Sequence, residues 1–241
     1  MPVADRVNMA KTMIGCVVDH VVNLIALHEN NAIVSYSDTL SRQIPKSVAA
    51  NAFELTRESL LFFEFIRLSA IWDLASEDRE SIPTVAALIN NREVVRCLSI
   101  EAFNSRNVPA RQADGEVEKD PAIAAISQRI QVQEAHRAFR KNVRSIQKIL
   151  TDIDQMSKSE ELKAIRGFRD KHLAHSLKPE AITVRGPKHG EQREILNRTI
   201  EITDSLYLAI SQTGFAWDMA HENYRRTSTA LWGSCRFEIK Q

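Results

Sequence analysis

The chain has 241 residues, 44% hydrophobic and 26% charged, a balance that fits a globular protein and excludes a disordered one. Seven Gly and seven Pro are too few to punctuate a many-stranded β fold, in which each hairpin needs such residues. Lys and Arg number 32 against 31 Asp and Glu, so a uniformly basic coat is excluded while a local basic patch is not.

In chain order, Val7, Ala10, Ile14, Val17, Val21 and Leu24 recur at three- and four-residue spacing and predict an amphipathic helix over 4–29, ending near Asn30 and Asn31. A polar connection with Pro45 follows. Residues 46–75 are apolar around nearly the whole circumference, from Phe53 through Phe62, Phe63 and Phe65 to Trp72, which predicts a central helix covered by neighbours. Ser81 with Pro83 marks the start of a short helix through Ile89. Another helix is expected over 92–103. Residues 105–119 are polar and hold Pro109 and Gly115, the pattern of an exposed loop.

Asp120-Pro121 supplies an N-cap and a proline at the first helical position, for a helix reaching Ile153. Ser157 and Glu160 match a capping box, opening a helix that Pro179 stops. A short extended segment is expected near 181–195, around Gly186-Pro187 and Gly190. A last helical region over 192–232 should bend near Gly214, with Trp217 and Trp232 packing its pieces together. The expectation is a single all-α domain over 1–241, a bundle of six to seven helices.

Cys16, Cys97 and Cys235 are widely spaced with no CxxC, so neither a disulfide framework nor a zinc site is indicated. The N-terminus lacks a signal-peptide pattern, and no window approaches 18 uninterrupted apolar residues. A cytoplasmic protein without membrane contact is expected.

The chemistry concentrates in Arg166-Gly-Phe-Arg-Asp-Lys-His-Leu-Ala-His175. With Leu162 set at zero on a helical wheel, Arg169 falls at about 340°, His172 at about 280° and His175 at about 220°, within or beside the apolar arc of Ile165, Phe168 and Leu173. A guanidinium and two imidazoles on a core-facing stripe are costly unless paired or used. Between Lys163 and Arg193 eight Lys and Arg face three acids, Asp170, Glu180 and Glu191, and three of the seven His (172, 175, 189) lie there too. Arginine grips phosphate as a fixed fork of donors, and histidine exchanges protons near neutrality. A phosphodiester suits both. The competing expectation is structural: Arg169 paired with Asp73, Glu64 or Glu161, and His175 capping a helix C-terminus. His172 and His175 stand one turn apart, a spacing that also suits a metal, but no Cys or acidic ligand set accompanies them; no metal and no cofactor is expected.

Arg169-Asp170, four residues and then His175 fit the Arg-polar-x4-His motif of the HEPN superfamily. The chain resembles the abortive-infection, AbiU-type branch of that superfamily in IRLSAIWDLASEDRESIPTVAALI (66–89), in FRDKHLAHS (168–176), and in a late helix with SLYLAI and WDM (205–219). The resemblance extends over about residues 45–230. It implies an all-α HEPN-like bundle and a metal-independent endoribonuclease, used as a toxin or phage-defence effector. It also implies a homodimer in which the motif helices of two copies line one cleft. The RNA 2′-OH would attack the adjacent phosphate and leave a 2′,3′-cyclic phosphate. His175 would serve as general acid or base, Arg169 would hold the scissile phosphate, and Asp170 would orient its neighbours. Arg166, Lys171, His172 and Lys178 are candidate phosphate or RNA contacts. The alternative is a non-catalytic HEPN module that binds a nucleotide or a partner protein, such as an antitoxin or a nucleotidyltransferase.

Overall fold

A computed structural model describes residues 1–44, 47–107, 121–170 and 190–238. They form α1 (Val3–Tyr36), α2 (Asp38–Gln43), α3 (Val48–Ile71), α4 (Ile82–Ile89), α5 (Arg92–Arg106), α6 (Pro121–Ser157), α7 (Glu160–Arg169), α8 (Glu191–Ser211) and α9 (Trp217–Ser234), with no strand among the described residues. The fold is all-α.

The centre of the bundle is α1. Ala10, Ile14, Val17, Val21, Leu24 and Ile25 are fully buried, and the helix packs against α3, α4, α5, α8 and α9. By length and composition α1 would also suit a membrane span; here its apolar side is the middle of the core. The helix runs past the asparagine pair expected to end it. Asn30 Oδ1 accepts a hydrogen bond from Trp232 Nε1 at 2.7 Å, and Asn31 Nδ2 donates to the Leu60 carbonyl at 3.2 Å and to Glu64 at 2.6 Å. Side chains held by tertiary partners do not compete for their own helix's backbone.

The expected central role of residues 46–75 is corrected. Within α3 only Glu64, Phe65, Leu68, Ser69 and Ile71 are buried, while Val48, Leu55 and Phe63 are exposed. Its buried Glu64 receives hydrogen bonds from Asn31 and from His28, whose Nδ1 lies 2.8 Å away.

Ser81 caps α4 by accepting from the Thr84 N–H, with proline in the first turn, as expected. Asn91 caps α5 by the same device. Ser105 and Arg106 finish α5 rather than begin a loop; residues 108–119 of that loop lie outside the described residues. The start expected at Pro121 holds, and α6 continues to Ser157. The cap of α7 is Ser159, which accepts from the Leu162 N–H at 3.2 Å, not Ser157, which closes α6. The continuation of this helix to Pro179 lies outside the described residues. Of the extended segment expected near 181–195, residues 191–195 are helix and belong to α8. Residues 181–189 are not among those described. The break between α8 and α9 is made at Gln212, whose φ of 58° is left-handed. Trp217 and Trp232 do tie the last helices down, Trp217 by donating to Asp204 at 2.9 Å and Trp232 by donating to Asn30 as above.

Candidate functional site

The motif helix α7 is short and strongly two-sided. Leu162, Ala164 and Ile165 are buried in the core, and Phe168 lies against Phe62 and Phe65 of α3, with ring centroids 5.5 and 5.4 Å apart. Those contacts set the rotation of α7 about its axis, so Arg166 and Arg169 come to face the C-terminal end of α3. The aromatic run of α3 is thus split. Phe65 is buried and Phe62 packs on the core, whereas Phe63 is exposed.

Arg169 is the better anchored of the two arginines. Its Nη1 donates to Asp73 Oδ1 at 3.0 Å and to Ser69 Oγ at 3.3 Å, and its Nε donates to Asp170 Oδ1 at 2.9 Å. Among the described residues these contacts use three of the five N–H donors of the guanidinium. The side chain retains 23% of its accessible surface, against 31% for Asp73 and 50% for Asp170. Burial acts to lower the arginine's proton affinity, but hydrogen bonds to Asp73 and then Asp170 outweigh it and raise it above the ordinary value.

Arg166 is held differently. Its guanidinium donates to two neutral acceptors, the Trp72 carbonyl and, at 3.4 Å, the Ser157 carbonyl. Burial, the largest influence, lowers its proton affinity; Asp73 opposes that and the adjacent Arg169 reinforces it. An arginine nevertheless stays protonated. Arg166 is therefore a half-buried cation whose direct partners among the described residues carry no charge, beside a second cation. That is an environment in which an anion is welcome.

Trp72 links this corner to the core. It is fully buried, and its Nε1 donates to Thr199 Oγ1 on α8 at 2.9 Å. Its carbonyl faces Arg166, so one residue connects α3, α7 and α8.

The chain matches the family model HEPN_AbiU2, described as AbiU2, over residues 18–231. It belongs to the AbiU2 family of HEPN domains. No curated protein and no solved structure matches it. The AbiU2 assignment agrees with the resemblance carried by the motif and with the all-α fold. Of the predicted site residues, the structure brings Arg166, Arg169 and Asp170 together on one side of α7. Lys171, His172, His175 and Lys178 lie outside the described residues. Among the three carboxylates weighed as partners for Arg169, the structure selects Asp73. Glu64 is taken by His28 and Asn31 instead. Ser69 and the Trp72 carbonyl were not anticipated. A signal for Ser69 existed, because Ser69 and Asp73 stand one helical turn apart at the end of a mostly apolar run. No group of three or more His, Cys, Asp or Glu that would hold a metal occurs among the described residues.

Proposed function

We propose that this AbiU2-family HEPN protein is a metal-independent endoribonuclease that acts as a homodimer in abortive infection, in the cytoplasm. The observation that carries the reading is the oriented guanidinium of Arg169, clamped by Asp73, Ser69 and Asp170 at the edge of the bundle beside Arg166, which is held by backbone carbonyls. In this reading Arg169 is the catalytic cation that holds the scissile phosphate and offsets charge developing on it. His175, six residues on, moves the proton of the attacking 2′-OH or of the leaving 5′-oxygen. Asp73 and Asp170 are positioning residues that aim Arg169. Arg166 supplies a second positive charge at short range.

Exposed apolar residues on α3, Leu55 and Phe63, give surface on which a second copy can pack beside α7. With two copies, two Arg169 and two His175 would line a common cleft. A monomer at micromolar concentration in sedimentation velocity overturns that part of the reading.

The test is RNA cleavage by the purified protein in EDTA, beside His175→Ala and Arg169→Ala, with the product ends identified. The expected result is metal-free cleavage leaving 2′,3′-cyclic phosphate, lost in both variants while circular dichroism stays unchanged. Equal cleavage by all three proteins overturns the site. If a folded wild-type dimer cleaves no RNA, the same arginine corner is left as a phosphate-binding site in a non-catalytic module. Thermal stabilisation by nucleotides, or co-purification of a partner protein, would then be expected.

A further inference from the structure

A second basic feature lies on α6, well outside the arginine corner. Between residues 137 and 148 the helix carries Arg137, Arg140, Lys141, Arg144 and Lys148 and no acid. Spacings of four, three and four residues put Arg137, Lys141, Arg144 and Lys148 on one stripe, with Arg140 at its flank. All five are exposed. Along an ideal helix the stripe is about 16 Å long. Lys148 pairs with Asp152 at 2.5 Å, whereas Arg137, Arg140, Lys141 and Arg144 form no ion pair among the described residues.

The setting widens the ridge. Arg106 of α5 shares a groove with Lys141, and Arg198 of α8 shares another with Lys148. Asp152 and Glu201 close the end nearest the α6–α7 corner. Opposite the ridge, Ala135, Ile146, Ile149 and Ile153 are buried against the bundle. The helix is thus fixed by its apolar side, and its basic side is presented on a rigid support.

In a chain with a net charge of +1 such a concentration of unpaired cations is a local field source for a polyanion. We propose that the α6 ridge is the surface that grips the RNA backbone, at a distance from the cleavage corner. It rests on the ribonuclease reading for the identity of the strand. A linear row of exposed guanidinium and ammonium groups matches a row of phosphates and carries no base-reading shape, so the grip is sequence-independent. Arg144 lies thirteen residues before Ser157, about 20 Å along the helix, and the Ser157 carbonyl receives Arg166 of the corner. The ridge and the corner are therefore joined by one rigid helix, on different sides of it. A lipid surface fits less well. A helix lying on a bilayer inserts apolar residues beneath its basic flank, and Ile146, Ile149 and Ile153 are sealed in the core. The exposed isoleucines of α6, Ile123, Ile126 and Ile130, lie upstream of the ridge.

The test uses the full chain carrying His175→Ala, so that cleavage does not obscure binding. A fluorescent single-stranded RNA of about 20 nucleotides is titrated at several salt concentrations, with and without Arg140→Ala, Lys141→Ala and Arg144→Ala together. The ridge predicts at least about tenfold weaker binding at low salt in the triple variant. It also predicts a plot of log affinity against log salt that is shallower by about 2, three lost contacts at about 0.7 each. Equal affinity and equal slope, in a variant with an unchanged melting temperature, overturn the proposal. So does an absence of RNA binding by the starting protein. Ridge-dependent binding to phosphatidylserine vesicles without ridge-dependent RNA binding also overturns it, and assigns the surface to lipid. Ridge-dependent RNA binding by a protein whose His175-containing form cleaves nothing supports the surface while removing the nuclease reading.

Discussion

Two regions of this protein concentrate arginine, and they treat it in opposite ways. At the α3–α7 corner Arg169 is clamped by Asp73, Ser69 and Asp170, and Arg166 is tied to backbone carbonyls. On α6 four of five cations stand exposed without an ionic partner among the described residues. Fixed donors are suited to meeting one phosphate in one geometry. Loose, solvated cations are suited to attracting a charged chain and releasing counterions, whatever its sequence. On the proposed reading, the difference separates a place for chemistry from a place for holding.

The largest effect expected from breaking the first region is on turnover. Arg169→Ala should lower cleavage by about 10²- to 10³-fold, the scale seen when one preorganised charge-stabilising donor is removed. Arg169→Lys should recover little, because an ammonium cannot reproduce contacts made through Nη1 and Nε together. Recovery to near wild-type rate would show that charge alone suffices and would blur the distinction from α6.

Glu64→Ala provides a contrast outside both regions. It leaves the donors of Asn31 and His28 without their acceptor in a buried setting, which should destabilise the fold by about 2–3 kcal/mol. Chemical denaturation checks this, and cleavage per folded molecule should stay unchanged. A loss of activity greater than the loss of folded protein would enlarge the functional region to include the α1–α3 contact.

Asp73→Ala should act through Arg169. A roughly tenfold fall in kcat with little change in KM is expected when an aiming contact is lost, with partial recovery in Asp73→Glu. A change confined to melting temperature would make Asp73 merely structural.

The smallest effect concerns pH. The hydrogen bond from His20, and next that from Cys16, hold the Glu80 carboxyl below its ordinary range. A carboxyl lowered in the folded state stabilises the protein above its unfolded pKa and loses that contribution as pH falls. Glu80→Gln should therefore flatten the acid side of the stability profile below about pH 4.5 and leave the neutral region nearly unchanged. Cleavage at neutral pH should not respond.

The parts of the fold written in local sequence were readable. The apolar spacing of α1, the Ser81–Pro83 start of α4 and the proline start of α6 each depend on neighbours within a turn or two. The failures depend on distant residues. Asn30 and Asn31 read as a stop, yet Trp232 and Glu64, far along the chain, occupy their side chains. The run at 46–75 has the composition of a central helix, but composition does not say which side has a neighbour, and Leu55 and Phe63 have none that covers them. The capping-box rule favours Ser157 over Ser159, yet α6 runs through Ser157 and Ser159 caps α7.

The site divides along the same line. Arg169 and Asp170 were legible because the motif is contiguous. The choice among Asp73, Glu64 and Glu161 was not, since Asp73 is 96 residues away. The ridge on α6 is visible as a run of cations in the sequence. Its meaning needed the knowledge that Ile146 and Ile149 bury the opposite side.

The separation of chemistry from holding is tested most directly by measuring kcat and KM on RNAs of decreasing length, for Arg169→Ala and for the triple variant of Arg140, Lys141 and Arg144. Arg169→Ala should lose kcat at every length. The triple variant should lose mainly through a raised KM on long RNA, by a factor that shrinks as the RNA shortens. A matching loss of kcat in both variants, independent of length, would contradict the account and make the two regions one site.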